Sequence, residues 1–114
     1  MNTNYNITLA PSALWSLQDA ESFKLASCEP QEAGIFIDNI LSRTIKAISQ
    51  DPARYRYNTM LADKGIAIRE RIDIDSQFRC LYEFDEQTGS VELLLFISTK
   101  QDLDKMLYRY TVLS

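Results

Sequence analysis

Three arginines are concentrated in one segment of this acidic chain. Arg69, Arg71 and Arg79 lie in IRERIDIDSQFRCLYEF, in which apolar and polar residues alternate on either side of a short polar stretch. Arginine side chains can bind phosphate groups or stabilise the negative charge that develops on a reacting phosphate. The same alternation also predicts the two strands of a β-hairpin, with charged residues on its solvated face. The segment therefore permits two interpretations, a functional cluster or the outer face of a hairpin.

The overall charge limits the functions that these arginines can serve. The 114-residue chain has a formal net charge of −4 and contains no histidine. Broad electrostatic binding of nucleic acid requires many Lys and Arg residues that neutralise phosphates, so any such binding here must use a local basic patch. The absence of histidine removes the usual general base near neutral pH and the commonest metal ligand. Catalysis would therefore have to use other side chains.

The cysteines and the apolar segments do not indicate a cofactor or a membrane. Cys28 and Cys80 form no C-x-x-C pair and have no histidine partner, so we expect reduced thiols, no metal and no cofactor. The first residues lack the pattern of a signal peptide, and no apolar run approaches the roughly 20 residues of a membrane span. We therefore expect a cytoplasmic protein with no membrane partner.

The first half of the chain predicts one strand and two helices. Apolar residues alternate in YNITLAP, and Pro11 is suited to the first turn of a helix that runs to about residue 26. Pro30 opens a second helix, in which apolar residues recur at steps of three and four as far as Gln50, just before Pro52. The connection between the two helices is short, so we expect an antiparallel helical hairpin.

The second half predicts three strands and a short helix. Residues 51–65 lack periodicity and are typical of a loop, and strands are expected at about 66–75, 78–84 and 91–98. The last strand is apolar on both faces, which is typical of a central strand. Leu103, Met106, Leu107 and Tyr110 have helical spacing and predict a terminal helix that is frayed at its end. The expected order is β-α-α-β-β-β-α in one α+β domain, residues 1–114, with the helical hairpin packed on a mostly antiparallel four-stranded sheet.

Pairing the two strands of the arginine segment assigns a neighbour to each arginine. A three-residue loop, 75–77, would place Ile72 and Ile74 on the core side, opposite Cys80 and Phe78. On the other face this register predicts three facing pairs: Asp73 with Arg79, Arg69 with Glu83, and Arg71 with Leu81. Arg71 alone would have no acidic residue across the ladder, and it is therefore the leading candidate for a functional role.

The order of these elements and four of their motifs resemble the RelE/ParE superfamily of toxins from type II toxin-antitoxin systems. The opening YNITLAPSALWSL resembles the first strand and helix of the family, and PQEAGIFIDNILSRTIKAISQDP resembles its second helix. FRCLYEF and VELLLFIS resemble two of its strands. The resemblance implies a RelE/ParE-like fold and a protein partner, an antitoxin whose disordered segment wraps the helical hairpin and the sheet.

The resemblance leaves two branches open, because members share a fold and differ at their sites. RelE-type toxins cleave mRNA on the ribosome, whereas ParE-type toxins inhibit DNA gyrase without nuclease chemistry. A cleaving enzyme must activate a 2′-hydroxyl, stabilise the pentavalent phosphate and protonate the leaving oxygen. If this chain is such an RNase, the residues expected to carry the reaction are Arg71, Arg79, Lys100 and Tyr108.

The end of the chain departs from the pattern of the cleaving branch. The stretch STKQDLDKMLY has Lys100 in the basic position, but it contains no histidine. Tyr108 follows later than the pattern requires, and Asp102 and Asp104 intervene. We therefore favour the ParE-like interpretation, a growth-inhibiting, plasmid-stabilising toxin whose target is DNA gyrase, over an RNase that acts on the ribosome and its mRNA or a degenerate member without toxicity.

Overall fold

The computed structural model describes residues 5–109 and contains four strands and four helices in that range. The sheet order is β1-β4-β3-β2, with β1 parallel to β4 and the other two pairs antiparallel. Tyr110, which the spacing assigns to the last helix, and the frayed end predicted there lie outside the described residues. The elements are β1 Asn6–Leu9, α1 Pro11–Lys24, α2 Pro30–Gln50, α3 Thr59–Asp63, β2 Arg69–Asp73, β3 Phe78–Asp85, β4 Ser90–Ser98 and α4 Leu103–Arg109.

The predicted α+β architecture is confirmed, with one additional element. The helical hairpin, the mostly antiparallel four-stranded sheet and the short last helix are present, and β4 occupies the central position expected from its apolar faces. Helix α3 lies in the stretch predicted as a loop. Its N-cap is Asn58, whose side chain accepts a hydrogen bond from the Leu61 N–H at 3.0 Å. A helix of five residues is too short to produce a detectable period.

The sheet separates two apolar cores. One face, here called the hairpin face, packs against α1 and α2, and the other, the distal face, packs against α3 and α4. The hairpin-face core contains Ala13, Leu17, Ile37, Ile40, Ile48, Cys80, Tyr82, Val91, Leu93 and Phe96. The distal-face core contains Ala10, Leu61, Ile68, Leu81, Leu94, Leu95, Ile97, Leu103 and Leu107. Side chains alternate between the faces along β2 and β3, so the register of these two strands decides which core or surface each arginine reaches.

The predicted register of the β2-β3 hairpin is wrong by one residue. Arg71 faces Cys80 and Asp73 faces Phe78, so the connection contains four residues, 74–77, instead of three. The Asp73 carbonyl accepts a hydrogen bond from the Gln77 N–H at 2.8 Å, and the Asp73 carboxylate accepts one from the Ser76 hydroxyl at 2.6 Å. Gln77 has a positive φ of 59°, which closes the wider turn. The additional turn residue shifts the register.

A shift of one residue exchanges the faces of the strand. Arg71 and Asp73 therefore lie on the hairpin face of β2, whereas Ile72 and Ile74, predicted as core residues, are 43% and 77% exposed. The pairings of Asp73 with Arg79, Arg69 with Glu83, and Arg71 with Leu81 are consequently wrong: the observed partners across the ladder are Phe78, Tyr82 and Cys80. The three arginines find their hydrogen-bond partners elsewhere.

Helix α1 forms hydrogen bonds with the edge of β4 beyond the point where β1 ends. The parallel pairing of β1 with β4 stops at Leu93, and two serines one helical turn apart on α1 bond the strand beyond that point. The Ser12 hydroxyl donates to the Leu94 carbonyl, and the Phe96 N–H donates to the Ser16 hydroxyl at 3.0 Å. Both serines are buried, so these bonds replace the strand hydrogen bonds that β1 no longer supplies.

We predict that Ser16→Ala lowers the free energy of unfolding by about 1–3 kcal/mol, because the buried Phe96 N–H loses its acceptor. Ser22→Ala is the matched control, since Ser22 is an exposed serine of the same helix, and its effect should stay within about 0.5 kcal/mol. Urea unfolding monitored by circular dichroism measures both values. Equal stabilities of the two variants would contradict the role assigned to Ser16.

Candidate functional site

Arg69 is a structural residue that fixes the segment after α2. Its guanidinium donates hydrogen bonds to the Tyr55 carbonyl at 2.6 Å and to the Tyr57 hydroxyl at 3.1 Å. It also lies 4.2 Å from the centroid of the Tyr57 ring, within the range of a cation-π contact. Tyr55 packs against the hairpin-face core. Arg69 is therefore occupied by contacts within the chain, as predicted from the sequence, although its partners are not the predicted ones.

Asp73 binds two arginines on the hairpin face. Arg43 of α2 makes a bidentate contact with its carboxylate, from Nε at 3.0 Å and from Nη2 at 2.8 Å. Arg71 reaches the same carboxylate at 3.4 Å and the Thr44 hydroxyl at 3.4 Å. The hydrogen bonds from Arg43 lower the pKa of the Asp73 carboxyl from its ordinary 3.8 to about 2. Arg71, predicted to lack an acidic partner, is thus held beside a buried carboxylate.

The carboxylate of Glu70 accepts hydrogen bonds from a second set of donors, on the distal face. Asn58 donates to its carboxylate at 2.8 Å, and Arg56 and Arg79 each approach a carboxylate oxygen at 3.4 Å. Glu70 is 7% exposed, whereas the side chain of Arg56 is 74% exposed. The Nε atom of Arg79 is buried and has no hydrogen-bond partner among residues 5–109. The negative charge of Glu70 therefore offsets part of the positive charge of Arg56 and Arg79, and the side chain of Arg56 reaches the surface.

The four residues expected to act together in an RNase occupy different surroundings. Arg71 faces the helical hairpin, and Arg79 faces the opposite side of the sheet, because Arg79 is adjacent to Cys80, the ladder partner of Arg71. Lys100 follows β4 in an exposed turn, and Tyr108 of α4 is 62% exposed. Two side chains on opposite faces of a sheet cannot bind one phosphate. The structure does not bring Arg71 and Arg79 together.

A groove that the sequence did not predict lies between α1, α4 and the end of the sheet where β3 starts and β4 ends. It has a volume of about 1030 Å³, and the end of α4 is joined to α1 by an ion pair of 3.3 Å between Arg109 and Asp19. The aromatic lining residues are Phe23, Phe36, Phe78 and Phe96, and Lys24 and Lys100 are lining cations. The groove thus combines a large apolar surface with positive charge.

The aromatic rings of the groove differ in exposure, and Phe23 is the exposed one among the four. The Phe23 ring is 85% exposed, although its helix is otherwise anchored on the sheet. Phe36 and Phe78 pack edge to face, with centroids 6.0 Å apart, and Lys24 lies 4.4 Å from the Phe36 centroid. The sequence contained only a weak signal for this groove. Phe23 is one of several apolar residues of α1, and its type and spacing do not distinguish it from the others.

The cysteines and the helices add two further observations. Cys28 and Cys80 are both free thiols, and burial raises the pKa of the Cys80 thiol well above its ordinary value, which keeps it protonated and unreactive. Between residues 5 and 109, no helix has the length and apolar character needed to cross a membrane.

The arrangement of helical hairpin, mixed sheet and closing helix is also found in solved structures of other proteins. The chain resembles the chromosomal ParDE toxin-antitoxin system from P. aeruginosa, with a TM-score of 0.62, 11% identity, and coverage of 82% of this chain and 95% of that chain. It also resembles the RelBE2 toxin-antitoxin complex from Mycobacterium tuberculosis, with a TM-score of 0.58, 14% identity, and coverage of 82% and 90%. The likeness shows that the protein has the α+β fold predicted from the sequence, a fold that it shares with these two toxin-antitoxin structures. No family model and no curated protein sequence matches this chain.

Loss of the Asp73 carboxylate is predicted to change stability in a pH-dependent way. Because its pKa is lowered from 3.8 to about 2 in the folded state, the stabilisation is complete above about pH 4 and is lost as the pH falls towards 2. We predict that Asp73→Asn costs roughly 2 kcal/mol at neutral pH and much less near pH 2. Urea titrations at several pH values measure the difference.

The control for this prediction is Asp63→Asn, which removes an exposed carboxylate of α3. Its stability should follow that of the unaltered protein at every pH. If the cost of Asp73→Asn stayed constant from neutral to acidic pH, the stabilisation would come from shape or packing and not from the ionised carboxylate.

Proposed function

We propose that this chain is the toxin of a type II toxin-antitoxin system, that it acts in the cytoplasm, and that a cognate antitoxin neutralises it. The observation that carries the proposal is the fold. Two solved toxin-antitoxin systems match it, and in each case nearly the whole of the matched chain is covered. The acidic net charge and the absence of histidine favour binding to a protein target over electrostatic capture of nucleic acid.

The groove between α1 and α4 is the surface best suited to the antitoxin. An exposed Phe23 ring and the rings behind it provide apolar contact area, and Lys24 and Lys100 provide positive charge. A segment with bulky apolar side chains and acidic residues complements both features. We therefore propose an acidic, amphipathic segment of the antitoxin as the occupant of this groove.

DNA gyrase is the target that we propose, as for ParE-type toxins. Support comes from the positions of the arginines. Arg71 and Arg79 lie on opposite faces of the sheet, and each contacts a buried carboxylate, Asp73 or Glu70. A ribosome-dependent RNase needs several cationic groups aimed at a single phosphate. The alternative expected from the sequence is a ribosome-dependent RNase that uses Arg71, Arg79, Lys100 and Tyr108, and a degenerate member without toxicity is the third.

We predict that the purified protein inhibits supercoiling of relaxed plasmid DNA by gyrase and leaves mRNA intact in a reconstituted translation reaction. The two assays use the same protein preparation, and heat-denatured protein is the control. Ribosome-dependent truncation of the mRNA, with normal supercoiling, would contradict the gyrase proposal and favour the RNase. No effect in either assay, and normal growth after induction, would indicate a member without toxicity.

We predict that Phe23→Ser weakens binding of the antitoxin by about tenfold or more, because an exposed aromatic ring in a groove is a typical binding hot spot. The antitoxin used is the product of the adjacent open reading frame, and calorimetry measures the affinity. Leu14→Ser is the matched control, since Leu14 is a 49% exposed residue of the same helix outside the groove. Equal affinity losses in the two variants would refute the assignment of the groove.

A further inference from the structure

Three side-chain donors surround the carboxylate of Glu70. Asn58 Nδ2, Arg56 Nη2 and Arg79 Nη1 converge on its carboxylate from two chain segments, 56–58 and β3, at 2.8, 3.4 and 3.4 Å. Two guanidinium groups and one amide are the donors that proteins commonly use to bind phosphate. The position between these donors is filled by a side chain of the protein itself.

The backbone fixes this arrangement before any ligand binds. The Glu70 N–H donates to the Arg56 carbonyl at 3.0 Å, and the Asn58 N–H donates to the Ile68 carbonyl at 2.8 Å. Asn58 also caps α3 through its side-chain oxygen, so the orientation of its amide is determined and its nitrogen points to Glu70. The amide donor would therefore keep its position if the carboxylate were removed.

Glu70 does not satisfy all the donors around it. Arg79 reaches the carboxylate only at 3.4 Å, and its Nε atom is buried without a hydrogen-bond partner among the described residues. Arg56, with 74% of its side chain exposed, connects the cluster to solvent. An anion that arrived from solvent would find unused donor capacity, but it would also meet the negative charge of Glu70. The carboxylate therefore opposes any second anion at this point.

We propose that Glu70 is a specificity-determining residue, which occupies an anion site formed by Arg56, Asn58 and Arg79 and thereby prevents the distal face from binding the phosphates of nucleic acid. The inference goes beyond the proposed function, because it concerns anion binding on one face of the sheet and holds whether or not gyrase is the target. It also assigns Arg56 and Arg79 a role that is distinct from strand pairing and from catalysis.

The test is the affinity of the full chain for a fluorescein-labelled single-stranded RNA of about twelve nucleotides at low salt, measured by fluorescence anisotropy. We expect Glu70→Gln to bind this RNA about tenfold or more tightly than the unaltered protein. Adding Arg79→Gln to this variant should abolish the gain. The dependence of affinity on salt should increase by about 0.7 in log-log slope for each phosphate newly bound in Glu70→Gln.

Glu83→Gln is the matched control, because Glu83 is an exposed acid on the same face of β3 as Arg79, and its replacement removes the same charge. We expect it to leave RNA affinity almost unchanged. An equal affinity gain in Glu83→Gln would attribute the effect to net charge and overturn the proposal, as would no gain in a folded Glu70→Gln. If Glu70→Gln does not fold, Arg79→Gln alone is measured: because Glu70 already occupies the site, we expect unchanged RNA affinity, and a loss of affinity would overturn the proposal. Tight RNA binding by the unaltered protein would also refute it, whatever the outcome of the gyrase assay.

Discussion

The contact between Asp73 and Arg43 is the interaction on which the arrangement of the arginines depends. Asp73 ends the edge strand β2, and its bidentate pair with Arg43 joins that strand to α2. The same carboxylate accepts hydrogen bonds from Ser76 and thereby forms the four-residue turn. Since turn length fixes the register of a hairpin, this side chain also determines which face of the sheet each following residue occupies.

The register in turn places Arg71 and Arg79 of the hairpin beside two different buried acids. Asp73 holds Arg71 below the helices, and three residues earlier Glu70 holds Arg79 on the other side of the sheet. A buried carboxylate without partners would be costly, and each acid here has more than one donor. Arg71 and Arg79 therefore stabilise the edge strand through these ion pairs. The same ion pairs lower the positive charge that either face of the sheet presents to a phosphate.

The elements of the fold were predictable because they follow from apolar periodicity. The isoleucines of α2 and the continuous apolar run of β4 are determined by the cores that they fill, and the structure contains both elements close to their predicted bounds. The turn was not predictable in the same way. Its extra residue depends on a side-chain bond of Asp73 and on the positive φ of Gln77, and neither has a periodic signature. An error of one residue there misplaced every arginine partner, and the groove around Phe23 was missed because its walls come from distant segments.

This difference between apolar positions and polar side-chain contacts explains why the fold is similar to those of proteins with low sequence identity. Matches of 11% and 14% identity extend over most of the chain because apolar positions can exchange one hydrophobic residue for another without loss of the core. Polar partners tolerate no such exchange. Replacing Glu70 by glutamine would remove the negative charge between Arg56 and Arg79 and make the distal face more positive. The proposed role of Glu70 in this chain therefore depends on one buried acid beside an arginine, which the fold does not determine.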